Sequence, residues 1–299
     1  MKLATVRTPH GTTTAAVLSE ELVDLHAADS EIPPRMIDLL AGGKPMLERV
    51  RAGIDSGQGR FPLAGAKFAA PVIPPKFFAI GLNYADHIAE SGVSAPEYPV
   101  VFGKMTSCVV GPNDDVLRPI VSEQLDYEGE LGVVIGKRCK HVTRDRASEV
   151  IAGYTVINDV SVRDFQLRSQ QFTLGKSFDT HGVIGPWIVT GDELDPGTLD
   201  IRTFVNGEVR QRSNTRNLIF DCYAQVEVLS SACTLEPGDV IATGTPSGVA
   251  MAFQPPRWLV PGDVVRVEID GIGAIENRIV QEPAPTGHVA LSETAAAND

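Results

Sequence analysis

The chain has 299 residues, 43% of them hydrophobic and 21% charged, enough apolar material for one large core with a smaller unit attached. Lys and Arg number 26 against 38 Asp and Glu, and the net charge of −12 argues against a nucleic-acid partner while suiting divalent cations. Cys108, Cys139, Cys222 and Cys233 form neither a CxxC pair nor a disulfide framework, Met1 to Gly11 lacks the apolar core of a signal peptide, and no run reaches membrane-spanning length, so a cytoplasmic protein without a membrane partner is expected.

Residues 2–6 and 13–18 read as short strands about the Pro9-His10-Gly11 turn, followed by an apolar segment at 22–25. A helix is expected over 35–41, closed by Gly42-Gly43, and a second opens at Pro45 and runs through Met46, Leu47, Val50 and Ile54. A glycine-marked connection and a proline-marked extended stretch set a boundary near residue 70, which makes 1–70 a small α+β unit and 71–282 a second domain. Residues 76–81 read as a strand, 82–90 as a turn entering a short helix that Gly92 stops, and 100–102 as the start of another strand. A helix near 146–151 precedes a strand at 154–157, and 165–171 reads as a short helix or irregular turn. Strands and turns then alternate, with a hairpin signal at Asn206-Gly207, helical spacing over 217–230, and matching Leu-x-Pro-Gly-Asp turns at 235–239 and 259–263 ahead of two strands. The tail, 283–299, is alanine- and proline-rich and expected to be mobile.

The stretch Leu-Asp-Tyr-Glu-Gly-Glu-Leu-Gly-Val-Val-Ile-Gly, residues 125–136, sets three acids in front of an apolar run fit for a buried strand. Side chains in a strand alternate faces, so Glu128 and Glu130 point the same way, and Asp126 joins them if the extended backbone reaches that far. A hard divalent cation is the least costly way to keep two such carboxylates ionised beside Val and Ile, whereas a strand end with its acids in water is the plain alternative. Asp159, at the end of the strand 154–157, is the best third oxygen ligand, with an Asx turn as its competing use. Three carboxylate oxygens leave about three positions of a six-coordinate ion for water and substrate, which suits Mg2+ or Mn2+ better than zinc.

His87 and Glu90, at i and i+3, share a helical face, so the acid can hold the imidazole in one tautomer as a base near neutral pH; a surface pair without consequence is the alternative. His181 is a less well placed base. Lys176 can present an ammonium to a substrate carboxylate or oxyanion, Arg163 offers forked donors, and Gln166 and Gln170 add neutral ones. The hydroxyls and amides of Thr243-Gly244-Thr245-Pro246-Ser247-Gly248 either line a pocket or make a plain turn.

Five segments in order resemble the fumarylacetoacetate hydrolase family: Gly81-Leu82-Asn83-Tyr84-Ala85-Asp86-His87, Leu125 to Gly136, Asn158 to Asp164, Leu174 to Thr180 and Thr243 to Gly248. The resemblance spans residues 77–279 and implies a β-rich mixed α+β protein, its catalytic domain a β-roll of curved mixed sheets behind the small N-terminal α+β domain, and usually a homodimer. It implies one divalent ion, Mg2+ or Mn2+, per subunit on Glu128, Glu130 and Asp159. His87 falls on the family's base, supported by Glu90 in a lid-like helix, Lys176 on its lysine, Arg163 and Gln166 on its substrate-orienting pair, and Thr245 on the threonine of its glycine loop. His181-Gly182-Val183 departs from many relatives, which carry Phe at the first of these positions.

The activity implied is metal-dependent hydrolysis of a C–C bond in a small carboxylate-bearing substrate, a 1,3-diketo or 2-oxo acid of the acylpyruvate or fumarylpyruvate type, through a metal-bound enolate. Oxaloacetate decarboxylation, and isomerisation or tautomerisation of an unsaturated 2-hydroxy or 2-oxo dioate in aromatic catabolism, are the alternatives. A metal-stabilised binding module leaves the base and the lysine unmotivated.

Overall fold

The computed structural model describes residues 1–92 and 94–284, so the tail expected to be mobile lies, from residue 285 on, outside the described residues. Strands β1 (Lys2–Thr8), β2 (Gly11–Val17) and β3 (Glu21–Asp24) form an antiparallel meander. Helices α1 (Leu25–Ala28), α2 (Met36–Ala41) and α3 (Gly43–Asp55) follow, the first capped by Asp24 at 3.0 Å from Ala27 N. Short strands β4 (Arg60–Pro62) and β5 (Phe68–Ala69) return the chain to β3 and β1.

The chain continues through β6 (Phe77–Gly81), α4 (Ala85–Ser91), β7 (Val100–Lys104), β8 (Val109–Val110), β9 (Val116–Arg118), β10 (Leu125–Asp126) and β11 (Gly129–Ile135). Next come β12 (Ile151–Asp159), β13 (Ser161–Val162), α5 (Arg163–Gln166) and β14 (Gly182–Thr190). Strands β15 (Asp200–Val205) and β16 (Glu208–Asn214) make the hairpin expected at Asn206-Gly207, and α6 (Cys222–Ala232), β17 (Val240–Ala242), β18 (Val264–Ile269) and β19 (Gly273–Gln281) complete the described chain.

Twelve strands form one mixed sheet along the order β4-β3-β2-β1-β14-β12-β11-β17-β6-β7, with β5 on β1 and β8 on β14. The β17/β6 and β14/β8 pairs are parallel and the others antiparallel. A second sheet runs β16-β15-β18-β19-β9, and β10 pairs with β13 in a two-residue ladder. The strands of the first seventy residues join the rest through β1, which pairs antiparallel with β14. The β-rich mixed α+β architecture expected from sequence is therefore the one observed.

Both faces of β11 are covered, which explains its unbroken apolar run. Leu131, Val133 and Ile135 pack in one core with Val265, Val267 and Ile269 of the second sheet and Val226 and Leu229 of α6. Val134 belongs to another core with Leu39, Leu40 and Val50 of the N-terminal helices. Burying each such side chain contributes about 1.5–3 kcal/mol, so the strand beside the acids is held from both sides.

Three elements differ from expectation. Strand β12 runs to Asp159, so that residue ends the strand and does not sit in the turn after it, because the ladder to β11 persists to Asn158. Residues 144–149 coil as a 3-10 helix, and α6 begins only at Cys222, where Asp221 accepts from Ala224 N at 2.8 Å as its cap. No described helix is long and apolar enough to cross a membrane.

Candidate active site

The β11/β12 register sets Gly129 across from Asn158 and thereby brings Glu128 beside Asp159. Asp159 N donates to Glu128 O at 2.8 Å, and Glu128 N to Asn158 Oδ1 at 3.0 Å, so the backbones of the two acids are tied together. Gly129 has to be glycine here: a Cβ would stand 2.2 Å from Thr203 Oγ1 and 2.9 Å from Val267 Cγ1 of the second sheet. With the chain pressed so close, one carboxylate oxygen each of Glu128, Glu130 and Asp159 lies within 4.8 Å of the others, and all three residues are buried.

Charges alternate across the buried site. Arg163 Nε is 2.8 Å from Asp126 Oδ2, and its Nη1 is 2.7 Å from Glu128 Oε1. Lys176 Nζ bonds Glu128 Oε2 and lies 2.9 Å from Asp159 Oδ2, while Lys104 Nζ is 2.6 Å from Asp159 Oδ1. Three acids and three cations therefore neutralise one another, which is how so many charges persist under cover. Burial pushes the Glu128 carboxyl up, but Lys176 and then Arg163 pull harder and leave it at about 2. Burial likewise lowers the Lys176 ammonium, and Asp159 and Glu128 together reverse this into a net rise.

Glu130 is the acid left over. Among the described residues it has no ion-pair partner, and its Oε2 accepts only from Gly244 N, at 2.7 Å. Burial, then the charges of Asp159 and Glu128, push its carboxyl well above the ordinary range. An all-oxygen set with one uncompensated buried carboxylate fits a hard divalent cation, for which Glu128, Glu130 and Asp159 are the available ligands.

His87 and Glu90 meet on α4 as their spacing predicts: His87 Nδ1 is 3.1 Å from Glu90 Oε2, and Glu90 Oε1 accepts from Gly248 N at 2.8 Å. With Nδ1 turned to the acid, Nε2 is the nitrogen left for base chemistry. His87 lies within electrostatic reach of Glu128. Gln166 Oε1 accepts from Arg163 Nη1 at 2.8 Å, and Arg163 Nη2 is buried with no partner. The Thr245 hydroxyl donates to Gly129 O at 3.0 Å and accepts from Gln211 Nε2 at 2.8 Å, so in this structure it props the acidic strand. Gln170 stands apart, exposed in the bend after α5. His181 is fully buried, with Nε2 2.8 Å from Leu117 O, and burial lowers its pKa to about 3.

Asp126 does not join the other carboxylates. Its oxygens take Arg163 and the amides of Tyr127, Ala250 and Met251, at 2.7–3.1 Å. Two residues of the site carry no assignment from sequence. Lys104, besides Asp159, donates to the carbonyls of Lys176 and His181; its signal is alternation, since Phe102 and Lys104 share the buried face of β7. Asn83, just before α4, bonds Phe220 O at 2.9 Å and Thr243 O at 2.7 Å through Nδ2, linking the His87 helix to the loop that holds Glu130.

Residues 76–280 match the family described as fumarylacetoacetate (FAA) hydrolase, C-terminal. The chain is 42% identical over 263 residues to a mitochondrial oxaloacetate tautomerase of Xenopus laevis, covering 87% of this chain and 82% of that protein. Among solved structures it is similar to a 5-carboxymethyl-2-hydroxymuconate delta-isomerase from Mycobacterium smegmatis, with TM-score 0.77, 36% identity, and 94% and 100% of the two chains covered. It is also similar to a maleylpyruvate hydrolase from Sphingobium sp. SYK-6 in complex with manganese(II) and pyruvate, with TM-score 0.80, 33% identity, and 95% and 100% covered.

Proposed function

The chain belongs to the fumarylacetoacetate hydrolase family, and from that premise we propose that it is a divalent-metal-dependent enzyme that enolises a short 2-oxo dicarboxylate. The observation that carries the proposal is the unpaired Glu130 beside a neutral row of buried charges, a row in which Arg163 Nη2 has no partner. Glu128, Glu130 and Asp159 would hold one Mg2+ or Mn2+ per subunit, and the manganese and pyruvate of the Sphingobium hydrolase support both the ion class and a 2-oxo acid. When bound, the ion supplies Lewis-acid polarisation of a 2-oxo group.

The chain's own residues do the rest. Arg163 Nη2, steadied by the bond from Nη1 to Gln166, receives a substrate carboxylate. His87 Nε2, held in place by Glu90, takes a proton from the carbon next to the oxo group and delivers it to the oxo oxygen, and the opposite transfer restores the keto form. Lys176 holds its ammonium beside Glu128 and Asp159, where it stabilises the oxyanion as it develops. Thr245 and Gln211 fix Gly129, and through it the spacing of the two glutamates; Gln170 comes into play only where the substrate reaches the bend after α5.

Keto–enol tautomerisation of an oxaloacetate-type dioate is the reaction placed first, since it needs only this one proton-moving group and matches the activity for which the 42% identical Xenopus relative is named. That reverses the order drawn from sequence. Hydrolytic C–C cleavage of an acylpyruvate or fumarylpyruvate is the second reading. The His87–Glu90 pair favours it, because an imidazole so oriented also activates water. A cytoplasmic homodimer serving aromatic catabolism, with residues 1–70 leading a catalytic domain of 71–282, completes the proposal.

The test is a panel of oxaloacetate, acylpyruvates and unsaturated hydroxydioates with Mg2+ or Mn2+, followed by enol absorbance and product analysis. Accelerated oxaloacetate enolisation that a chelator abolishes is expected. Cleavage of acylpyruvates without that acceleration puts hydrolysis first, loss of CO2 from oxaloacetate puts decarboxylation first, and no turnover of any substrate removes the enzymatic reading.

A further inference from the structure

A cleft of about 590 Å3 lies behind α4, between that helix and the β15/β16 hairpin, and Arg202, Arg212 and Arg216 line it. Three guanidiniums gathered in one depression stand out on a chain of net charge −12. Asp86 and Asp200 share the lining, yet neither is paired with any of the three. Asp86 Oδ2 accepts from Ser213 Oγ at 2.7 Å, and Asp200 Oδ1 from Asn214 Nδ2 at 2.6 Å. Arg202 is turned to Asp270, 2.6 Å away, and to Glu268 at 3.7 Å, and the Arg216 side chain bonds, among the described residues, only the neutral Asn214 Oδ1, at 2.9 Å. The Arg212 side chain has no partner among the described residues.

Arg212 and Arg216, forked and permanently charged donors without carboxylate partners among the described residues, match the oxygens of a multivalent oxyanion, and Asn217, 3.1 Å from Ser213 Oγ, adds neutral donors. We propose that this cleft binds a small oxyanion of two or more negative charges, a dicarboxylate or a phosphate, at a site separate from the carboxylate centre. The guanidiniums of Arg212 and Arg216 supply the affinity. Ser213 connects the site to the catalytic helix, since the Asp86 carboxylate that it holds also accepts from His87 N at 2.8 Å. An occupant touching Ser213 therefore acts on the first turn of the helix that carries His87. The inference stands on the cleft's own residues and does not depend on the reaction assigned above.

Calorimetric titration of the Mg2+-loaded full chain with inorganic phosphate and with succinate, at fixed ionic strength, tests it. Saturable binding of at least one anion is expected, weakened about tenfold or more in Arg212→Ala/Arg216→Ala and unchanged in Arg163→Lys. Phosphate binding alone assigns the site to phosphates, and succinate binding alone to dicarboxylates. Binding of neither anion overturns the proposal, as does binding that survives the double replacement or is lost with Arg163→Lys. Both replaced arginines are exposed, and a melt of each variant, with Arg212→Gln alone as a second, separates lost binding from lost folding.

Discussion

Lys104 Nζ stands 2.6 Å from Asp159 Oδ1, while Lys176 takes the other oxygen of the same carboxylate at 2.9 Å. Asp159 is thus held between two buried ammoniums, and only one of them lies in a segment that reads as functional. Replacing Lys104 by Met strands one face of Asp159 and the carbonyl of His181. Breaking a buried pair from one side costs about 3–5 kcal/mol, so the urea midpoint should drop by a corresponding amount. An unchanged midpoint counts against this placement of Lys104.

Glu128 and Glu130 should respond in opposite ways to loss of charge. Glu128→Gln removes one of the two carboxylate partners of both Arg163 and Lys176 and should destabilise the chelator-treated protein by about 3 kcal/mol or more. Glu130→Gln keeps an oxygen for Gly244 N while replacing a buried carboxyl whose ionised form is disfavoured, so the same protein should melt no lower than wild type. Both variants should bind Mn2+ more weakly, by titration calorimetry. Equal melting shifts, or unaltered Mn2+ binding, would falsify the ligand assignment.

His87→Ala should reduce kcat by about 10²–10⁴-fold and leave Mn2+ affinity in place, because the imidazole touches Glu90 and none of the three carboxylates. Glu90→Gln loses the acid that orients the ring and should lower kcat in the same direction by less. Stability should change by about 1 kcal/mol for His87→Ala, the ordinary value for a side chain that is 15% exposed and makes no buried ion pair with the three carboxylates. A collapse of metal binding in His87→Ala points instead to a ligand role.

His181 makes the protein acid-sensitive. Its pKa falls from the ordinary 6.5 to about 3 in the fold because burial disfavours the charged ring, so between these values the unfolded chain binds a proton that the native chain refuses. The stability conferred by the neutral ring is complete above pH 6.5 and is lost as pH falls toward 3, at about 1.4 kcal/mol per pH unit below 6.5. His181→Gln keeps a donor for Leu117 O without titrating, so its unfolding free energy should lack this slope at roughly pH 5 to 6. Parallel pH profiles for the two proteins sink the idea.

Neighbour-scale features were legible in the residues themselves. Period two brought Glu128 and Glu130 to one side, i to i+3 spacing joined His87 to Glu90, Asn206-Gly207 made its hairpin, and the apolar run after Glu130 became a strand buried on both faces. Each depends on backbone geometry over a few residues, which local composition dictates. Order along the chain also carried the family resemblance, since five short segments had to recur together.

Other relationships were settled only when distant strands packed. Asp159 reaches Glu128 because β12 pairs with β11 in one register and not in a neighbouring one. Asp126, on the same side as the glutamates by simple alternation, is drawn off by Arg163 and by the amides of Ala250 and Met251, more than a hundred residues downstream. Lys104, 55 residues from Asp159, and Asn83, 160 residues from Thr243, have no local pattern that names their partners. Choices of this kind follow from which faces bury the most apolar surface while leaving every enclosed charge and amide a partner. That condition applies to the whole fold at once and is not written in any one stretch of sequence.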